Sequence, residues 1–262
     1  MKNHIASRIL IVSLFLFFAF GCTQPSKVEV APATSLSLEV KEVRPGILQG
    51  YLSETEFPDS YALLPPPPTE GSIAWQLDQE KAAYFVALDD EERKQQAIQD
   101  ADLSFPAALK AFNPVLPVKI SEETTPVTYL LIRRTLADAG LSTYAAKTHY
   151  QRPRPFMVNN TPICTPEEEE VLRKDGSYPS GHTAVGWAWA LILTELFPDQ
   201  TDAILHRGKE FGISRNVCNV HWHSDVEAGR TMGAVTVARL HANTQFLIDI
   251  KAAKREIQSL KK

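Results

Sequence analysis

GSYPSGHT, residues 176–183, runs directly into AVGWAWALILTELFP, residues 184–198, and the join between the two decides how the chain is read. Ala184, Trp187, Ala188, Leu191 and Glu195 recur at helical spacing and Phe197-Pro198 ends the pattern, so a helix is predicted with Pro179, Ser180 and Gly181 directly before it. At such a start a Ser hydroxyl and unpaired backbone N–H groups converge on an anion. His182 stands at the edge of that cradle. Taken alone, Ser180 would be only an N-cap and His182 a polar surface residue.

Working outward, the pattern stays helical. Residues 75–88 and 91–105 carry apolar side chains at helical spacing. A helix is expected from Pro126 to about Gly140, with Ile132, Leu136 and Ala139 on one face, and a short one over residues 143–150. Ile204, Gly208 and Phe211 form another stripe. Ser224 and Glu227 make a capping-box pattern, so a helix is predicted to start at Asp225, with Val226, Gly229, Gly233, Val237 and Leu240 on one face. Its small residues would allow close packing. No run alternates like a strand and no 20-to-50-residue repeat occurs. The expected fold class is mostly α, a single-domain helical bundle.

Lys2 and Arg8 precede the apolar run at residues 9–20, which has signal-peptide length and is too short to span a bilayer. Gly21-Cys22-Thr23 resembles a lipobox, which would place a lipid on Cys22, although Ala19 and Phe20 depart from the usual pattern and leave cleavage and release into the periplasm as the alternative. The predicted organisation is a signal peptide at 1–21, a tether and irregular arm at 22–64, and a helical domain at 65–262 that opens with four prolines favouring polyproline II. The whole chain carries a net charge of −4. Removing the leader makes it more acidic, so no nucleic-acid-binding surface is indicated. Export leaves Cys164 and Cys218 as an even pair in an oxidising compartment, and a disulfide between them is expected.

Two further clusters carry chemistry. KTHYQRPRPF, residues 147–156, gathers Lys147, Arg152 and Arg154 on a backbone stiffened by prolines, a set suited to phosphate oxygens. By itself it reads first as a solvated basic loop balancing the EEEE run at 167–170. SRNVCNVHWHSD, residues 214–225, adds Arg215 and sets His221 four residues before Asp225. A carboxylate bonded to one ring nitrogen would leave the other unprotonated and nucleophilic. The string His221, His223, Asp225 also permits a metal site, against which Arg215 would repel a divalent cation.

Lys147, six residues, Arg154-Pro155; then Pro179-Ser180-Gly181-His182; then Ser214-Arg215, five residues, His221, three residues, Asp225: together these resemble the three-part signature of the type-2 phosphatidic acid phosphatase superfamily. The octet GSYPSGHT resembles more narrowly the bacterial class A non-specific acid phosphatases, from the LPPPP segment at 64–68 onward. The resemblance implies a periplasmic, homo-oligomeric enzyme that hydrolyses phosphate monoesters, with some transfer to alcohols, and needs no metal or cofactor. It implies His221 as nucleophile, Asp225 as its orienting group and His182 as the proton donor. Lys147, Arg154, Arg215, Ser180 and the Gly181 amide would hold the phosphoryl oxygens. A vanadium-dependent haloperoxidase shares the constellation, and a non-catalytic phosphate-binding lipoprotein is the reading from another class. An integral lipid phosphatase is disfavoured, because no apolar run after the leader is long enough to span a bilayer.

Overall fold

The computed structural model describes residues 32–260; the leader at 1–21 and Cys22 lie outside them. Among the described residues the chain forms a short hairpin, β1 (Glu42–Arg44) and β2 (Ile47–Leu48), followed by helices. These are α1 (Ser60–Leu63), α2 (Ile73–Val86), α3 (Glu91–Ala101), α4 (Pro126–Leu141), α5 (Tyr144–Tyr150) and α6 (Pro155–Asn159). After them come α7 (Glu169–Leu172), α8 (Gly181–Leu196), α9 (Thr201–Val217), α10 (His223–Leu240) and α11 (Thr244–Leu260). The mostly α bundle expected from the sequence is the observed fold.

Helix α8 is the axis of the bundle, packed against α4, α9, α10 and α11. Its sequence stripe does not mark a single inner face: Ala184 and Ala188 are fully buried but Trp187, Leu191 and Glu195 only partly covered, while Val185, Trp189, Ile192 and Leu193, off the stripe, are fully buried. A helix apolar on nearly all sides belongs at a centre, where no single stripe marks the inside. Trp189 satisfies its indole N–H on the carbonyl of Ile132 in α4 (3.0 Å) and meets Phe105 edge-on.

Helix α10 crosses α8 at close range because its contact face is stripped of side chains. A Cβ on Gly233 would stand 2.6 Å from the carbonyl oxygen of Ala184, and one on Gly229 would stand 2.5 Å from that of Ser180. The helix begins at His223 rather than Asp225, with Asp225 reaching back to the N–H of Trp222 (2.8 Å). The N–H of Ser224 is met by Asp78 of α2 (2.8 Å), a cap that arrives from elsewhere in the chain.

Where described, the expected tether and irregular arm is docked onto the bundle from residue 32 onward and belongs to the same compact unit. Asp249 of α11 accepts from the N–H of Ser35 (2.9 Å) and the hydroxyl of Tyr51 (2.8 Å). Arg134 of α4 donates to the carbonyls of Gln49 (3.1 Å) and Gly50 (2.6 Å) and stacks 3.8 Å over the Tyr51 ring. Asp138 accepts from the N–H groups of Tyr51 and Leu52, both at 2.9 Å. The arm's composition hid this because much of what is recognised is its backbone.

Cys164 and Cys218 are disulfide-bonded across a separation of 54 residues, tying the segment before α7 to the end of α9. The close α8–α10 crossing yields a stability test. Gly233→Ala pushes a methyl against main chain that cannot yield, so equilibrium unfolding is expected to show a loss of about 1–3 kcal/mol; wild-type stability in the variant would contradict the packing described.

Candidate active site

Helix α9 ends just past Arg215, and Asn219 takes a left-handed conformation (φ 58°) that reverses the chain. The N–H groups of Val220 and His221 both turn back to the Arg215 carbonyl, at 3.1 and 3.2 Å. His221 is thereby held over the last turn of α9, and its Nδ1 faces Asp225 Oδ2 at 3.3 Å. Donation of the Nδ1 proton to that carboxylate leaves Nε2 with its lone pair, 3.1 Å from the Nη1 of Arg154. Burial, followed by the charges of Arg154, Lys147 and Arg215, pushes the His221 pKa well below the ordinary histidine value, which favours the neutral ring.

Asp225 is fully buried and its oxygens are taken up. Oδ2 serves Trp222 and His221, while Oδ1 accepts from Arg152 at 2.6 Å. Arg152 also binds the Ser224 hydroxyl (2.8 Å) and Asp78 (2.7 Å), and Asp78 accepts from the Ser224 hydroxyl (2.6 Å). The carboxylate of Asp225 is thus fixed by a guanidinium that is fixed in turn by a second buried carboxylate. No local pattern marks Asp78, which sits alone as the buried residue of α2 and meets partners 74 and 146 residues away. Arg152 was visible only as a neighbour of Arg154.

Three cations lie opposite. Lys147 donates to the Gly176 carbonyl (2.5 Å) and Asp175 (3.2 Å); burial and the neighbouring Arg154 lower its pKa to about 8. Arg154 is anchored by the carbonyls of Leu172 (2.9 Å) and Val220 (2.9 Å) and by Asp175 (3.1 Å). Arg215 is fully buried, yet no nitrogen of its guanidinium has a hydrogen-bond partner, the closest carboxylate being that of Glu168 at 3.7 Å. Burial lowers its pKa to about 10, still far above any pH at which the fold is acidic or neutral. A buried guanidinium with no hydrogen bond is costly unless an anion completes it.

Ser180 caps α8, accepting from the N–H of Thr183 (3.2 Å), and its own N–H donates to the Asp225 carbonyl (3.0 Å). The amides of Gly181 and His182, first in the helix, have no acceptor within it. His182 donates Nε2–H to the carbonyl of Ala101 (2.9 Å), which leaves Nδ1 unprotonated; burial and then Arg215 push its pKa well below the ordinary value. Ser214, read as part of the motif, turns away to Asp100 (2.6 Å). His223 lines a separate groove beside α2, and among the described residues no group of three or more His, Cys, Asp or Glu could hold a metal ion.

Lys147, Arg154, His182 and His221 border one cavity of about 230 Å³. The arrangement offers a neutral imidazole nucleophile, a second imidazole for protons, and cations with helix-start amides for the oxygens of a tetrahedral anion.

Residues 127–248 match the PAP2 superfamily. The chain is 43% identical over 213 residues to the non-specific acid phosphatase of Providencia stuartii, a match covering 81% of this chain and 86% of that protein. It is 41% identical over 213 residues to the non-specific acid phosphatase of Salmonella typhimurium, covering 80% and 84%. The acid phosphatase of Zymomonas mobilis is 40% identical over 200 residues, 76% of each chain. Among solved structures, a bacterial vanadium-dependent iodoperoxidase aligns with TM-score 0.49 at 20% identity, over 68% of this chain and about half, 53%, of that one. Identity at the level of the phosphatases, held across most of both sequences, means that the chain belongs to the non-specific acid phosphatases of the PAP2 superfamily.

Proposed function

We propose that the protein hydrolyses phosphate monoesters through a phosphohistidine at His221, without a metal ion. The observation that carries this reading is the fully buried Arg215, without a hydrogen bond and with only the longer ion pair to Glu168, in a site where His221 is oriented by Asp225. His221 Nε2 attacks phosphorus in line and the ester oxygen departs. The phosphoryl oxygens lie among Lys147, Arg154, Arg215, the Gly181 amide and the Ser180 hydroxyl, which hold the charge of the transition state.

The bound dianion offsets the cation beside His182, so its Nδ1 takes up a proton and gives it to the leaving alkoxide. His182 then removes a proton from the water that attacks the phosphohistidine, releasing phosphate and restoring His221. Transfer to an alcohol in place of water follows the same path. Proton uptake on binding favours an acid medium.

The leader and the Cys164–Cys218 bridge both support export to the periplasm, with lipidation of Cys22 as the tether.

His221→Ala is expected to abolish turnover while inorganic phosphate still binds. Turnover near the wild-type rate would remove His221 from the chemistry. Exhaustive dialysis against a chelator should leave activity intact; a loss restored by zinc or magnesium would revive a metal mechanism. Lys147 loses its charge as pH rises through about 8, so inhibition by inorganic phosphate should weaken above that pH. Lys147→Arg keeps its charge and should flatten this limb, and an unchanged limb in the variant would assign the titration elsewhere.

A further inference from the structure

The cavity that holds the catalytic groups is larger than a phosphoryl group, and part of its lining is chemically different. Besides those groups it is walled by Leu136 and Leu141 of α4, Tyr144 of α5, and Val43, Arg44 and Ile47 of the N-terminal hairpin. Val43 is 52% exposed and Tyr144 41% exposed, an unusual use of apolar side chains at the mouth of a pocket in an acidic protein. Arg44 makes no side-chain hydrogen bond or ion pair among the described residues.

The hairpin is held there by buried polar contacts. One side of α4 carries Leu136, Ala137, Gly140 and Leu141 into the cavity. Arg134 and Asp138 of the same helix grip residues 49–52, the chain immediately after β2. Arg134 is 9% exposed and Asp138 fully buried, so the clamp is part of the interior rather than a surface contact. One helix therefore supplies part of the apolar wall and fastens the strand that completes it.

We propose that the hairpin and the facing residues of α4 and α5 form the leaving-group subsite, and that it selects phosphate monoesters of aromatic alcohols over those of small polar ones. An aryl group entering beyond the phosphoryl site lies between Val43 and Ile47 on one side and Leu141 and Tyr144 on the other. Arg44 is free to cover its face, as guanidinium groups do on aromatic rings. A polyhydroxylated leaving group would exchange water for a largely apolar wall in which Arg44 is the main polar group. The inference rests on the proposed chemistry at His221, since only that assignment makes the apolar lining the place of the departing alcohol.

The test compares kcat/KM for p-nitrophenyl phosphate and glycerol 1-phosphate on the full-length mature enzyme. Both esters give the same phosphohistidine, so kcat/KM reports the step in which the alcohol leaves. In Val43→Ser/Ile47→Ser the ratio of the two constants is expected to fall by about tenfold or more, the scale of lost methylenes in an apolar pocket. Val43→Phe, at an exposed position that tolerates the larger side chain, should move the ratio the other way and keeps the test independent of any misfolding of the double variant. Ratios in both variants that stay at the wild-type value, or a wild-type enzyme with no preference for the aryl ester, would overturn the subsite. Rapid-quench labelling of the same variants separates the two ideas. Phosphate found on His221 with unmoved ratios leaves the mechanism standing and removes only the wall, whereas label on another residue removes the basis for both.

Discussion

The contact between His221 Nδ1 and the Asp225 carboxylate is the interaction on which the rest of the site depends. It fixes which ring nitrogen carries the proton and so which one can attack. Asp225 can do this because everything around it is spoken for: Arg152 and the Trp222 amide hold its oxygens, and its main-chain carbonyl receives the amide of Ser180. That last bond joins the start of α10, just after His221, to the start of α8 with its unpaired amides. Removing the carboxylate would leave Arg152 to Asp78 and Ser224 and take the acceptor from the Trp222 amide, so positioning and stability draw on the same group.

Opposite this pair the protein buries Lys147, Arg154 and Arg215 together. Three cations drawn out of water and into one another's field are unfavourable in the free enzyme, which is why the pKa values of Lys147 and Arg215 fall to about 8 and about 10. Asp175 offsets part of this charge for Lys147 and Arg154, and Glu168 stands near Arg215. The remaining excess is complementary to a dianion whose charge spreads further as the bond to the leaving group breaks. Because these donors are fixed before substrate arrives, little reorganisation is required during the reaction.

Much of this was legible in the sequence, and the rest was hidden for identifiable reasons. Lys147, Arg154, His182, His221 and Asp225 stand in spaced motifs, and the structure brings them around one site. The glycine stripe of α10 announced its close crossing. By contrast Asp78 and Arg152 act through partners far away in sequence, and no local pattern encodes a cap delivered by another helix. Helix α8 concealed its inner face because it is apolar almost all round, and its stripe mixes the fully buried Ala184 and Ala188 with the partly exposed Trp187, Leu191 and Glu195. The arm at 32–64 carries little periodicity because what anchors it is largely its backbone, held by Arg134 and Asp138. Composition reports side chains, so a segment recognised in this way reads as a tether.

The most direct test of the central claim is to identify the residue that carries phosphate during turnover. Enzyme mixed with a phosphorus-labelled ester, quenched within the first turnover and digested under conditions that preserve phosphohistidine, should yield one labelled peptide, with the label on the ring of His221. Label on His182 or any other side chain, or phosphate released with no covalent enzyme species, would contradict it.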